Sequence, residues 1–177
     1  MSKFTISADL IRRLSAGRWI IPVLALMAEH GGSRFSVIER RLSISTSVLS
    51  RTLSALEAQG WIASNPGHGH PLRPEYLLTS DGSRIAQWCL TVIEQRRLIG
   101  LDRAHLGRWS LPLIGEIGGA WRRFSELQRG LQPISPRALS LELVSLGNAA
   151  IIRRRPAGPI YSLTDRGLIF AEGVGLT

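Results

Sequence analysis

The chain has 177 residues, 22 basic against 13 acidic, a formal charge of +9 and a single cysteine, Cys89. One cysteine excludes an internal disulfide and any cysteine-based zinc site. No run reaches the ~18 apolar residues of a membrane span, and no signal peptide is visible at the start, so the expected location is cytoplasmic. The basic excess is almost all Arg, with Lys3 the only Lys, and divides roughly +5 up to Arg97 and +4 after it. That balance suits a protein drawn to nucleic acid or another polyanion.

In chain order, Thr5 to Ala16 is a short amphipathic segment, with Ile6, Leu10, Ile11 and Leu14 on one side and Arg12 and Arg13 opposite. Trp19 to His30 reads as an apolar helix ending at Gly31-Gly32. Phe35 to Leu42 is a short helix that turns Phe35, Ile38 and Leu42 inward. Ile44 opens a turn into a helix with both ends marked: Ser45 as N-cap, Val48, Leu49, Leu53 and Leu56 on one face, and Gly60 at the C-terminal stop. The other face carries Thr46, Ser47, Ser50, Arg51 and Ser54, short polar groups with one Arg and no carboxylate. A helix that only meets water usually mixes Glu and Lys; a helix that approaches a polyanion drops its acids on that face. Trp61 to Asn65 and Arg73 to Leu78 read as strands around a turn-rich tip, Pro66 to Pro71, and Thr79 caps a longer helix to about Arg97 that carries Ile85, Trp88, Cys89, Val92 and Ile93.

The same order returns about 90 residues on. Ser45, Leu49, Ser50, Leu53 and Leu56 find counterparts in Ser135, Leu139, Ser140, Leu143 and Leu146. Gly17-Arg18-Trp19 with Pro22 matches Gly107-Arg108-Trp109 with Pro112, and Phe35-Ser36 matches Phe124-Ser125. Tyr76, Leu78, Thr79 and Gly82 match Tyr161, Leu163, Thr164 and Gly167. A period this long means two whole domains. In the second copy, Trp109 to Gly118 and Phe124 to Leu131 are helices, and Ser135 to Leu146, with Pro136 at its first position, corresponds to the helix at Ser45. Ala149 to Arg154 and Ile160 to Leu163 are strands with a tip at Pro156 to Pro159, and the helix from Thr164 ends near Gly173. The expected fold is mainly α with small β-hairpin wings (α+β), two winged helix-turn-helix domains at residues 1–98 and 99–177. In such a fold the helix after the turn enters the major groove of double-stranded DNA and the wing reaches phosphates or the minor groove.

Taken together, Gly-Arg-Trp, Arg-Phe-Ser, Ile-Ser-x-x-x-Leu-Ser and Tyr-x-Leu-Thr-x-x-Gly resemble the HxlR family of bacterial winged-helix regulators, over residues from about 10 to 172. The nearest stretches are Arg122 to Leu127, Ile134 to Leu139 and Tyr161 to Gly167. The resemblance implies DNA-binding transcription regulation, in that family usually by a homodimer paired through terminal helices. With two copies in one chain, it implies an intramolecular pseudo-dimer, the helix after Thr79 supplying much of the internal interface. Many members sense oxidants or aldehydes through a cysteine just before the Gly-Lys/Arg-Trp motif. Arg13 to Ala16 and Ala104 to Leu106 hold none, so that mechanism finds no support. The second helix also departs from the first, with Leu141 and Glu142 standing where Arg51 and Thr52 stand. A carboxylate there would repel phosphates, or accept from a cytosine amine. The second unit has then either degenerated or reads a different half-site.

The candidate DNA-binding residues are Ser45, Thr46, Ser47, Ser50, Arg51, Ser135, Arg137 and Ser140 on the two helices, with His68, His70 and Arg73 on the first wing and Arg153, Arg154 and Arg155 on the second. Arg51 and Arg137 are the leading base or phosphate readers; a solvated helix Arg is the rival reading at each, and the helix-turn-helix context weighs against it. Ser45 and Ser135 are caps first. The His68/His70 pair lacks further ligands for a metal, and no cofactor is expected. Cys89, on an apolar face with no basic neighbour, reads as core. No Ser-His-Asp spacing, phosphate loop or metal quartet appears, and Glu29-His30 and Asp102 with His105 read as surface pairs, so no catalytic residue is assigned. The rival reading is a repurposed fold that binds or transforms a small planar molecule in a cleft between the halves lined by Trp61, Trp88 and Trp121. If Glu142 pointed into such a cleft, the DNA-reading role of its helix would weaken.

Overall fold

A computed structural model describes residues 6–65, 75–102 and 106–176. Among these residues the chain forms nine helices and two three-stranded antiparallel sheets, in two compact units: Gly17–Ile93, the first winged unit, and Glu94–Thr177 together with Met1–Ala16, the second.

In the first winged unit, α2 (Ile20–Ala28) is apolar on most sides and buries Ile20, Val23, Leu24, Ala25 and Met27. It packs on α3 (Phe35–Leu42), which in turn packs on α4 (Thr46–Ala58). Helix α3 ends where Ser43 takes a left-handed conformation, φ 50°, which makes the turn of the helix-turn-helix. Helix α4 buries Leu49, Leu53 and Leu56 at the expected spacing, and Gly60 follows it at φ 69°. The sheet orders β1 (Gly32–Arg34), β3 (Glu75–Leu78) and β2 (Ile62–Asn65), with Ser33 and Ser64 both opposite Tyr76. The edge strand β1 was not expected. Three residues, Gly-Ser-Arg, carry no alternating pattern, and they become a strand only because β3 offers them a free edge.

Thr79 explains the repeated Thr-x-x-Gly motif. Its hydroxyl accepts from the Gly82 amide at 3.0 Å and donates to the Gly60 carbonyl at 2.8 Å, joining the start of α5 (Ser80–Leu98) to the end of α4. The helix passes so close to β2 that a Cβ on Gly82 would lie 1.7 Å from the Trp61 carbonyl oxygen. Thr164 and Gly167 repeat this: Thr164 Oγ1 donates to the Ala150 carbonyl at 2.6 Å, and a Cβ on Gly167 would meet the Ile151 oxygen at 2.1 Å.

The second winged unit repeats the order as α6 (Ser110–Ile117), β4 (Arg122–Arg123), α7 (Phe124–Gly130), α8 (Pro136–Asn148), β5 (Ile152–Arg154), β6 (Ile160–Leu163) and α9 (Asp165–Gly173), with sheet order β4-β6-β5. Strand β4 was missed as β1 was, and for the same reason. The expected boundary after residue 98 assigns α1 (Ala8–Ser15) to the first unit. Helix α1 instead packs on α6, buries Ile11 and Leu14, and donates from Arg12 to the Gly130 carbonyl at 2.7 Å. Its apolar stripe announced a buried face without saying which helix would cover it. No described helix is long and apolar enough to cross a membrane.

Candidate nucleic-acid interface

Helix α4 turns its polar side outward. Ser45, Thr46, Ser47, Ser50, Arg51 and Ser54 are all exposed, and the only acid on the helix, Glu57, is half-buried in its last turn beside Tyr76. Burial, then Glu57, push the Tyr76 phenol above its ordinary value. Ser45 stands at the N-cap with extended backbone, but its hydroxyl makes no capping bond, contrary to expectation. The neighbouring hydroxyl does the joining: Thr46 Oγ1 donates to the Glu39 carboxylate of α3 and fixes the two helices at the turn. Thr46 is therefore a structural link as well as an exposed residue.

On α8 the cap is formed as expected. Ser135 Oγ accepts from the Ala138 amide at 3.2 Å, with Pro136 at the first helical position. Ser140 Oγ donates to the Pro136 carbonyl at 2.9 Å within the helix. Arg137 and Ser140 are exposed, and beside them Leu141 and Val144 are 63% and 60% exposed. Glu142 is turned away from this face. It accepts from the Ser110 hydroxyl at the start of α6, where partial positive charge of the helix end favours a carboxylate. Burial raises its pKa above the ordinary 4.5, and the Ser110 bond opposes that rise. The pair is a joint change between the copies, because the first unit has Thr52 and Ile20 in these places.

The second wing is organised by an aromatic ring. Arg153 and Arg155 lie over Trp121 at 5.4 and 4.4 Å from the ring centroid. Arg153 Nε also donates to Ser162 Oγ across the sheet at 3.0 Å, and Arg154 Nε donates to the Gly158 carbonyl at 3.2 Å. Each guanidinium–ring contact contributes ~0.5–1 kcal/mol at such exposed sites, enough to bias these two long side chains without removing them from water. Arg122 and Arg123 of β4 are exposed on the same sheet. Sequence reasoning passed over these two arginines; the contiguous Trp121-Arg122-Arg123 was the available signal.

Of the three tryptophans assigned to a ligand cleft, two are buried. Trp61 and Trp88 are core residues of the first winged unit, 4% and 6% exposed. Trp121 belongs to the second unit, 37% exposed and occupied by guanidinium groups. Trp19 and Trp109 are half-buried, each under its preceding Arg at 5.6 and 5.5 Å. Cys89 is fully buried and its thiol pKa is pushed up by that burial. Glu29 pairs with Arg41 at 3.1 Å and lies 4.0 Å from His30, all at the surface. Among the described residues no group of three or more His, Cys, Asp or Glu could hold a metal ion. His68, His70, Arg73 and His105 lie outside the described residues.

Helix, turn, a second helix with no acid on its exposed face and a three-stranded wing define a winged helix-turn-helix, and the chain holds two of them. The HxlR-like helix-turn-helix family matches at residues 14–96 and again at 106–174, and the chain belongs to that family. It is a DNA-binding transcription regulator in class. No curated protein sequence matches it.

Proposed function

We propose that this chain binds duplex DNA as a pseudo-dimer, with α4 and α8 entering major grooves and the arginines of the second wing lying on phosphates. One observation carries the reading. Both helices present exposed faces with an Arg and no acid, and the single carboxylate that breaks the pattern in the sequence, Glu142, is turned onto Ser110. Short hydroxyl side chains around Arg51 let the α4 backbone approach base edges, and Arg51 supplies a fork for guanine. Arg153, Arg154 and Arg155, pre-arranged by Trp121, Ser162 and the wing turn, supply the salt-dependent part of the affinity. The helix after Thr79 links the two readers in one polypeptide, so the halves are free to diverge and the operator need not be symmetric.

The test is an anisotropy titration of wild-type and Arg51→Ala protein on a duplex enriched from a random pool and on an unrelated duplex. Arg51→Ala weakens the enriched duplex by about 1–3 kcal/mol and leaves the unrelated one nearly unchanged. Equal weakening on both reduces Arg51 to a phosphate contact. Binding that ignores sequence and vanishes near physiological salt would mean the +9 charge acts alone.

A further inference from the structure

The two recognition helices are copies in their buried residues and differ in their exposed ones. Leu49, Leu53 and Leu56 of α4 and Leu139, Leu143 and Leu146 of α8 are all buried at matching positions. On the outer face, Arg51 and Ser54 of α4 are replaced on α8 by Leu141 and Val144. These two are among the most exposed large apolar side chains of the described residues, at 63% and 60%. They stand three residues apart, on neighbouring positions of one face. No acid shares that face, because Glu142 is held by Ser110, and Arg137 lies one turn toward the N-terminus. The exposed arginines of the wing belong to the same unit.

This apolar pair sits on a face with no acid, in a unit rich in exposed arginines, surroundings suited to a polyanion. The major groove offers one apolar feature, the C5 methyl group of thymine. We infer that Leu141 and Val144 determine sequence specificity by packing on thymine methyl groups, so that the α8 half-site is thymine-rich. The α4 half-site, faced by Arg51 and four hydroxyl side chains, is read through polar groups instead. The inference rests on the DNA-binding reading above and adds to it the base class of one half-site and the asymmetry of the operator. Turning Glu142 inward is part of the same device: it takes the charge off a surface that has to lie against methyl groups between two phosphate backbones.

Thymine and uracil differ only in this methyl group, which gives a direct probe. Duplexes are enriched from a random pool with the full chain. Thymines in each half-site are then replaced singly by deoxyuridine, and binding is measured for wild type, Leu141→Ala with Val144→Ala, and Arg51→Ala. Burial of one methyl group predicts about a fourfold loss for each contacted thymine. Wild type shows that loss at one to three positions clustered in a single half-site. The Leu141/Val144 variant binds thymine and uracil duplexes equally well there, and Arg51→Ala retains the full uracil effect. Both substituted residues are exposed and Ala is a strong helix former, so a thermal melt should show the variant folded. An enriched duplex indifferent to uracil overturns the inference alone, as does a uracil effect that survives in the Leu141/Val144 variant. Self-association of the free chain that the double variant abolishes, with uracil without effect, would reassign the face to a second copy and equally overturn it. A pool that yields no enriched duplex overturns the DNA-binding reading, and this inference with it.

Discussion

Ala150 follows α8 with φ 54°, where the first unit has Gly60 at φ 69°. A Cβ in the left-handed region crowds the backbone by about 1–2 kcal/mol, and the second copy carries that strain. Ala150→Gly therefore stabilises the protein by about 1 kcal/mol in a denaturant titration, after allowing for the extra freedom Gly has when unfolded. Glu142 gives a pH-dependent counterpart. Its folded pKa lies above the ordinary 4.5, so the folded state holds this proton more tightly than the unfolded chain does. The resulting cost is absent below about pH 4.5, grows as pH rises through the window up to the raised value, and is constant above it. Glu142→Gln keeps a partner for Ser110 and removes the buried charge. Its Tm should exceed that of wild type at pH 7, with the difference gone at pH 4. A Tm difference that is the same at both values would show that the carboxylate is not desolvated.

At the scale of elements, Arg166 holds three chain segments of the second unit together. From α9 its Nε and Nη2 donate to the Ile99 carbonyl at 3.0 and 2.7 Å, just past the end of α5, and its Nη1 donates to the Ala149 carbonyl at 3.0 Å, at the end of α8. Asp81 occupies the corresponding place in the first unit, so the clasp exists once. Removing it leaves two helix-end carbonyls to find water. Arg166→Ala should cost about 1.5–3 kcal/mol, and Arg166→Lys should restore little, since an ammonium cannot match the two-sided fork. Urea unfolding of the three proteins checks both statements. The elements themselves were largely legible. Leu49, Leu53 and Leu56, closed by Gly60, locate α4 within a residue of its observed ends, and the repeat carries that reading to α8. Strands β1 and β4 were not legible, since two or three residues have no period and exist only by pairing with β3 and β6. The partner of α1 was hidden because a stripe such as Ile11 and Leu14 is blind to what covers it. At the site, periodicity sufficed to expose Ser47, Ser50, Arg51 and Arg137. The inward turn of Glu142 depended on Ser110, 32 residues away in sequence, and the stack on Trp121 depended on the unrecognised β4.

Over the whole molecule, duplication preserved what folds the domain and let the outer faces of α4 and α8 diverge. The Thr79/Gly82 and Thr164/Gly167 junctions are the same to within a few tenths of an ångström in their hydrogen bonds. The outer faces of α4 and α8 share little beyond Ser50 and Ser140. A homodimer reading one palindrome has to keep both faces alike; two copies in one polypeptide do not. Family membership fixes the class as a DNA-binding regulator, and the central claim is that one chain supplies both readers. Hydroxyl-radical footprinting of a complex shown by mass photometry to hold one chain per duplex tests it most directly. Two protected segments about one helical turn, ~34–36 Å, apart are expected, with Arg51→Ala weakening protection of one and Leu141→Ala with Val144→Ala weakening the other. A single protected segment, or a second segment that appears only when two chains are bound, would contradict it.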